Sequence, residues 1–101
     1  MDADREEPSE LLERRLMLVA SLSSVNAEAL KANQKIGALH MEIQRVTIFE
    51  TNEDEGTAGE VFEDAQAKLA KAEAELANCE ERIEALEDEV ADIDRRLDAA
   101  E

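Results

Sequence analysis

The sequence predicts an all-α fold, an antiparallel coiled-coil helical hairpin of two long helices that is expected to assemble into a four-helix bundle or larger helical complex. Three observations predict it. The 101 residues are rich in Ala, Leu and Glu, with two Phe, no Tyr and no Trp, the composition of long helices and not of a sheet-built core. Apolar residues recur at alternating spacings of three and four along two separate stretches, the signature of a helix with one buried stripe. Between the stretches lies one short polar segment with two of the three glycines, the natural place for the chain to reverse.

Residues 1–7, Met-Asp-Ala-Asp-Arg-Glu-Glu, read as an acidic tail, and residues 8–101 as a single hairpin. Helix 1 is expected over 8–51. Pro8 suits its first turn, where a missing N–H leaves nothing unpaired. Its array runs Leu11, Arg15, Leu18, Leu22, Val25, Ala29, Ala32, Ile36, Leu39, Ile43, Val46. In heptad letters Leu22, Ala29, Ile36 and Ile43 are a positions, and Leu18, Val25, Ala32, Leu39 and Val46 are d positions. Arg15 is the one polar intruder. An acidic turn is expected over 52–57, with Glu53, Asp54 and Glu55 at its tip. Thr57 and Glu60 have the spacing of a capping box, which places the start of helix 2 near Ala58 and its extent at 58–100. Its array is unbroken: Phe62, Leu69, Leu76, Ile83, Val90 and Leu97 at a, with Ala65, Ala72, Cys79, Leu86, Ile93 and Ala100 at d. Each helix would be about 60 Å long at 1.5 Å per residue.

Folding the chain back so that paired residue numbers sum to 108 joins an a to a d in every layer, from Val46/Phe62 and Ile36/Ala72 to Leu22/Leu86 and Leu11/Leu97. Large faces small at Ile43/Ala65, Ile36/Ala72 and Ala32/Leu76, which lets the backbones approach without voids. The flanking g positions meet as Glu42–Lys68, Lys35–Glu75 and Glu28–Arg82. These opposite-charge pairs favour this register, although each is weak at an exposed site. Arg14–Arg96 has the wrong sign and calls for nearby carboxylates. Val46, Phe49, Val61 and Phe62 are expected to close the turn end as an apolar plug.

Charge is divided unequally between the helices. Residues 11–50 carry five basic and four acidic side chains, whereas residues 61–101 carry five basic and fourteen acidic. Helix 2 therefore reads as an outer, solvated helix, with Glu73, Glu80, Glu87 and Asp94 along one outward stripe. Helix 1 has too few charges to face water all round. Its second stripe, Leu12, Leu16, Val19, Ser23, Asn26, Leu30, Asn33, Gly37, His40 and Gln44, alternates by four and three beside the first and is widened by Ala20, Ala27, Met41 and Ile48. Small residues there admit a second backbone, and Asn26 and Asn33 would fix register by hydrogen bonds. The expected occupant is another protein helix, from a second copy or a different subunit. The plainer reading is a semi-polar face resting in water.

The same residues narrow the chemistry. A formal charge of −16 argues against direct nucleic-acid binding, which needs clustered positive charge, and against docking on anionic lipid. No apolar run approaches the ~18 residues of a membrane span, and the acidic start lacks the features of a signal peptide. One cysteine cannot form an internal disulfide, so a reducing intracellular compartment, cytoplasm or nucleus, is expected. His40 has no His or Glu three or four residues away on its face, so it reads as a surface or register residue instead of a metal ligand. Cys79 sits at d, where apolar surroundings blunt a thiol. A hairpin has no shielded pocket to separate the pKa values of paired carboxylates. No catalytic residue, cofactor site or metal site is expected, and the protein is not expected to be an enzyme.

The leading functional expectation is a structural or assembly subunit acting by helix–helix packing. The alternative is an acidic regulator acting through its tip or by mimicking nucleic acid toward a basic partner. With Glu53, Asp54 and Glu55 at the end of a hairpin, the outline resembles the acidic-tipped coiled-coil fingers of bacterial RNA polymerase secondary-channel factors. Their Asp-Leu-x-x-Glu-Asn tip motif is absent here.

Overall fold

Pro8 opens the first helix as its ring dictates. In the computed structural model, helix α1 spans Pro8–Phe49 and helix α2 spans Glu55–Ala100. The structure describes residues 7–49 and 55–100, together with the side chains of 7–48 and 59–100. The carbonyl of Glu7 accepts from the backbone N–H groups of Glu10 and Leu11, each at 3.0 Å. That position takes up donors which the start of a helix otherwise leaves unpaired. The two helices pack against each other as an all-α hairpin, with no strand among the described residues.

The start of α2 differs from expectation. The capping-box spacing places it near Ala58, yet α2 begins at Glu55 and takes in Gly56 and Thr57. Thr57 and Glu60 therefore both lie inside the helix instead of bracketing its first free N–H groups. Neither Gly56 nor Gly59 has a positive φ, so both continue the helix. Of the expected turn, 52–54 lie outside the described residues and 55–57 belong to α2.

The hairpin divides into two compact units. In the open-end unit, the early part of α1 up to Ala27 packs on α2 from Cys79 onward. Its buried side chains are Leu11, Val25, Cys79 and Ile93, and Leu11 and Ile93 are the largest fully covered side chains of the described chain. Leu18, Leu22, Ile83, Leu86, Val90 and Leu97 are half-buried there. In the turn-end unit, α1 from Glu28 packs on α2 up to Asn78. Ala32, Leu39, Ala65 and Ala72 are buried, whereas Ala29, Ile36, Ile43, Val46, Phe62, Leu69 and Leu76 are half-buried.

One rule covers both units. Every fully buried residue occupies a d position, and every a position of either helix remains half-covered. The heptad letters treat a and d as equivalent halves of a seam. The small side chains at d (Ala32, Ala65, Ala72 and Cys79) let the backbones close on that side. The bulkier a side chains then lie at the edge of the seam instead of its centre. The turn-end plug is correspondingly partial. Val46 and Phe62 are half-buried, Val61 is 39% exposed, and the side chain of Phe49 lies outside the described residues. Val61 therefore does not belong to a closed plug.

Polar contacts bear on the register. The Lys35 Nζ lies 3.6 Å from Glu75 Oε2, a g–g contact in the register that pairs Ile36 with Ala72. Lys68 was expected to meet Glu42 but binds Asp64 one turn back on its own helix, at 3.1 Å. An i,i+4 pair with the acid on the N-terminal side is favoured within a single helix. The hydrogen bond and charge of Asp64 raise the Lys68 pKa, with Glu42 adding a smaller attraction. A base whose pKa is raised contributes stability that is complete below its ordinary value and is lost as pH rises through the raised value, so the Lys68 side of this pair fails in alkali. Arg96 has the carboxylate its position calls for, since its Nη2 lies 3.0 Å from Asp92 Oδ2 while Arg95 shares the same acid at 3.2 Å.

Core volume should matter only at d. Replacing Ile93, 1% exposed, with Ala is expected to cost about 2–5 kcal/mol in urea unfolding. Replacing buried Ala72 with Leu should cost about 1–3 kcal/mol by overpacking. The same change at exposed Ala70 is expected to leave the unfolding midpoint nearly unmoved.

Candidate functional site

Helix α1 continues without interruption through its twelve uncharged residues from Leu16 to Ala27. In a chain that is 38% charged, such a run belongs to a helix covered on both sides. Only one side is covered. In the open-end unit Leu12, Leu16 and Val19 are 56%, 70% and 39% exposed, and Met17 beside them is 67% exposed. Ser23 and Asn26 continue the row and are exposed. Leu12, Leu16 and Val19, with Arg15, line a shallow open groove.

In the turn-end unit the same stripe carries Leu30, 59% exposed, followed by Asn33, Gly37, His40 and Gln44, all exposed. Met41 and Ile48, expected to widen it, are 73% and 62% exposed. Ala38, Met41, Glu42 and Arg45 outline a second shallow depression. A Cβ built on Gly37 would meet nothing within 4 Å. A mid-helix glycine costs about 0.5–1 kcal/mol relative to Ala, and no packing within the hairpin compensates for it.

The stripe adjoins the seam. Its Val19, Asn26, Asn33 and His40 each follow an a residue by four, and side chains four apart on a helix are neighbours. The half-covered a residues Leu22, Ala29, Ile36 and Ile43 thus run directly into the stripe. Seven of the eight exposed large apolar side chains among the described residues belong to α1, and the eighth is Val61.

Arg15 shows a relation that the heptad pattern alone does not specify. Its Nε donates to Asp94 Oδ1 at 2.7 Å and its Nη2 to Asp94 Oδ2 at 3.5 Å. This fork against a carboxylate is the geometry in which Arg binds best. The hydrogen bond to Asp94, and then its charge, raise the Arg15 pKa. Asp94 was expected to point outward with Glu73, Glu80 and Glu87. Those three are exposed, but Asp94 is half-buried and held by Arg15. The signal was present in the sequence. A cation at an a position opposite Ile93 has an acid one residue beyond that layer, within reach of a long side chain.

The remaining expected features are simply placed. Cys79 is buried and outside any disulfide, and His40 is exposed on the stripe. Among the described residues no three His, Cys, Asp or Glu side chains cluster as a metal site, and no helix is long and apolar enough to cross a membrane. Of the acidic tip, Glu55 is the first residue of α2, while Glu53 and Asp54 lie outside the described residues. No protein-family model matches the chain, and neither a curated protein nor a solved structure was found to match it.

Within the hairpin alone, Gly37→Ala is expected to raise stability by about 0.5–1 kcal/mol, read as a higher urea midpoint. An unchanged or lower midpoint would show that Gly37 already faces a neighbouring backbone.

Proposed function

We propose that this chain is a non-enzymatic assembly subunit in which α2 braces α1, and α1 presents its second stripe to another protein helix. One observation carries the reading: the exposed large apolar side chains Leu12, Leu16, Val19 and Leu30 lie on one stripe of a helix whose opposite side is already packed. Scattered exposed apolar residues are ordinary on a surface, whereas a contiguous row marks an interaction site. The row lacks the charged residues that the core of an interface also lacks. Its small members, Ser23 and Gly37, suit close approach of a second backbone. The acidic outer side of α2, with Glu73, Glu80 and Glu87 exposed, favours solubility of the assembled particle. A buried Cys79 outside any disulfide fits a reducing intracellular compartment.

The partner is thus a helix of apolar and small polar character, and no cofactor, nucleic acid or membrane enters the mechanism. Recognition would proceed by burial of the stripe and of the adjoining half-covered a row, with Asn26 and Asn33 restricting the register. Val19→Glu combined with Leu30→Glu places two charges on that face without touching the buried d residues. The native complex is expected to shift to free hairpin in sedimentation velocity while helicity by circular dichroism stays within error. An assembly of unchanged mass would exclude the stripe as its interface.

A further inference from the structure

We infer that the helix received at the open end of the hairpin is a basic amphipathic segment of a different protein, seated by its apolar face on Leu12, Leu16 and Val19 with Lys or Arg turned toward one acidic edge of α2. This inference rests on the assembly reading above and adds the chemistry of the partner. The surface lies wholly in the open-end unit, where α1 up to Ala27 packs on α2 from Cys79 onward. Leu12, Leu16 and Val19 are exposed there and line a groove with Arg15. Arg15 also identifies the edge of α2 that borders this groove, because its Nε donates to Asp94 Oδ1 at 2.7 Å. Asp94 is an e position. The e and b positions of α2 from 80 to 98 are Glu80, Glu84, Glu87, Ala91, Asp94 and Asp98, so this edge is carboxylate in all but one place and holds no base. The arginines of the same stretch lie on other sides of the helix, Arg82 and Arg96 at g and Arg95 at f, and Asp92 binds both Arg95 and Arg96.

These edges select the occupant. Glu80, Glu84, Glu87 and Asp98 are exposed. On the other border of the groove, α1 offers exposed Glu13 one turn before Leu16 and Met17. Arg15, the cation among the lining residues, has its charge answered by both oxygens of Asp94. A helix lying on the apolar row therefore meets carboxylates beside it and no competing base. A second copy of this chain fits such edges poorly. It carries the same formal charge of −16, and the e, b and f positions of its own α1 from Glu13 to Ile48 hold no Lys or Arg. A basic segment relieves the crowding of like charges on α2 while its apolar face covers the groove. Complementary charge at a rim steers association and fixes orientation, whereas the apolar centre holds the complex. The exposed row from Leu12 to Asn26 is about 21 Å long at 1.5 Å per residue, room for a helix of about four turns.

The test uses the full purified chain and a labelled synthetic peptide of about four helical turns, with Leu along one face and Lys along its borders. Fluorescence anisotropy is expected to show it binding several-fold more tightly than a peptide with Gln at every Lys or one with Gln at every Leu. Affinity should fall as salt rises past about 0.1 M, where the Debye length is about 10 Å. Glu84→Gln with Glu87→Gln should weaken binding about fivefold, as two exposed ion pairs are lost. Glu81→Gln with Asp88→Asn removes the same charge from the f side of α2 and should leave binding nearly unmoved. Leu16→Ser with Val19→Ser should weaken it by about tenfold, with helicity by circular dichroism retained in every variant. Equal losses from the two charge variants would reduce the effect to general attraction by an acidic chain and overturn the basic partner. Equally tight binding of the peptide with Gln at every Lys would do the same, as would a dimer of the chain alone that the lysine peptide fails to dissociate. In any of those events, loss of the native complex on Val19→Glu with Leu30→Glu would leave the assembly reading standing, and an unaffected complex would remove both.

Discussion

The structure depends on the unequal closure of its seam. Every fully buried side chain of the described residues sits at a d position, and the a positions of the seam stay half-covered. Two helices alone can bury only a narrow strip, and small residues at d narrow it further by drawing the backbones together on one side. Large a side chains such as Ile36, Leu69, Leu76 and Ile83 are left straddling the boundary with solvent. On α1 this boundary leads without a break into Leu16, Val19 and Leu30. The feature that makes the hairpin compact on one flank leaves the other incomplete.

Division of labour between the helices follows from the same constraint. Carboxylates crowd α2, whose apolar residues are confined to its a and d rows and Val61 apart from alanines. A helix of that kind is satisfied by one neighbour and water. α1 carries two apolar rows separated by a fraction of a turn, and its own chain covers one of them. Arg15 marks where the two rows meet. It sits at a seam position, lines the groove beside Leu12, Leu16 and Val19, and is tethered by Asp94 of α2. Its charge is thereby answered from within the hairpin, and its methylenes are left to line apolar surface, as long cationic side chains commonly do.

Much of this was legible in the sequence, and the misses share a cause. The two arrays, the reversal between them and the Lys35–Glu75 contact followed from spacing, because a helix converts residue number directly into angle and height. The outward direction of Leu30, Met41 and Ile48 came from the same conversion. What spacing could not supply was competition between near-equal local choices. Lys68 had acids at comparable reach on two helices and took Asp64 on its own. Thr57 and Glu60 fitted a cap, yet the helix begins earlier, at Glu55. The a and d rows looked equivalent until the volumes of Ala32, Ala65 and Ala72 were set against their larger partners Leu76, Ile43 and Ile36.

Gly37 brings the fold and the proposed function to one position. Nothing in the hairpin lies close enough to require a missing side chain there, and in the middle of a helix glycine is a poor choice on intrinsic grounds. A helix that had only water on that face would be better served by Ala, Gln or Lys. Glycine becomes the favourable residue where another helix crosses closely. The neighbouring residues Asn33, Gly37 and His40 are too polar for a core and too short of charge for a solvated surface. That intermediate character is what the proposed contact with another helix would use, with shape and hydrogen bonding selecting the partner and the apolar side chains of Leu12, Leu16, Val19 and Leu30 supplying the affinity.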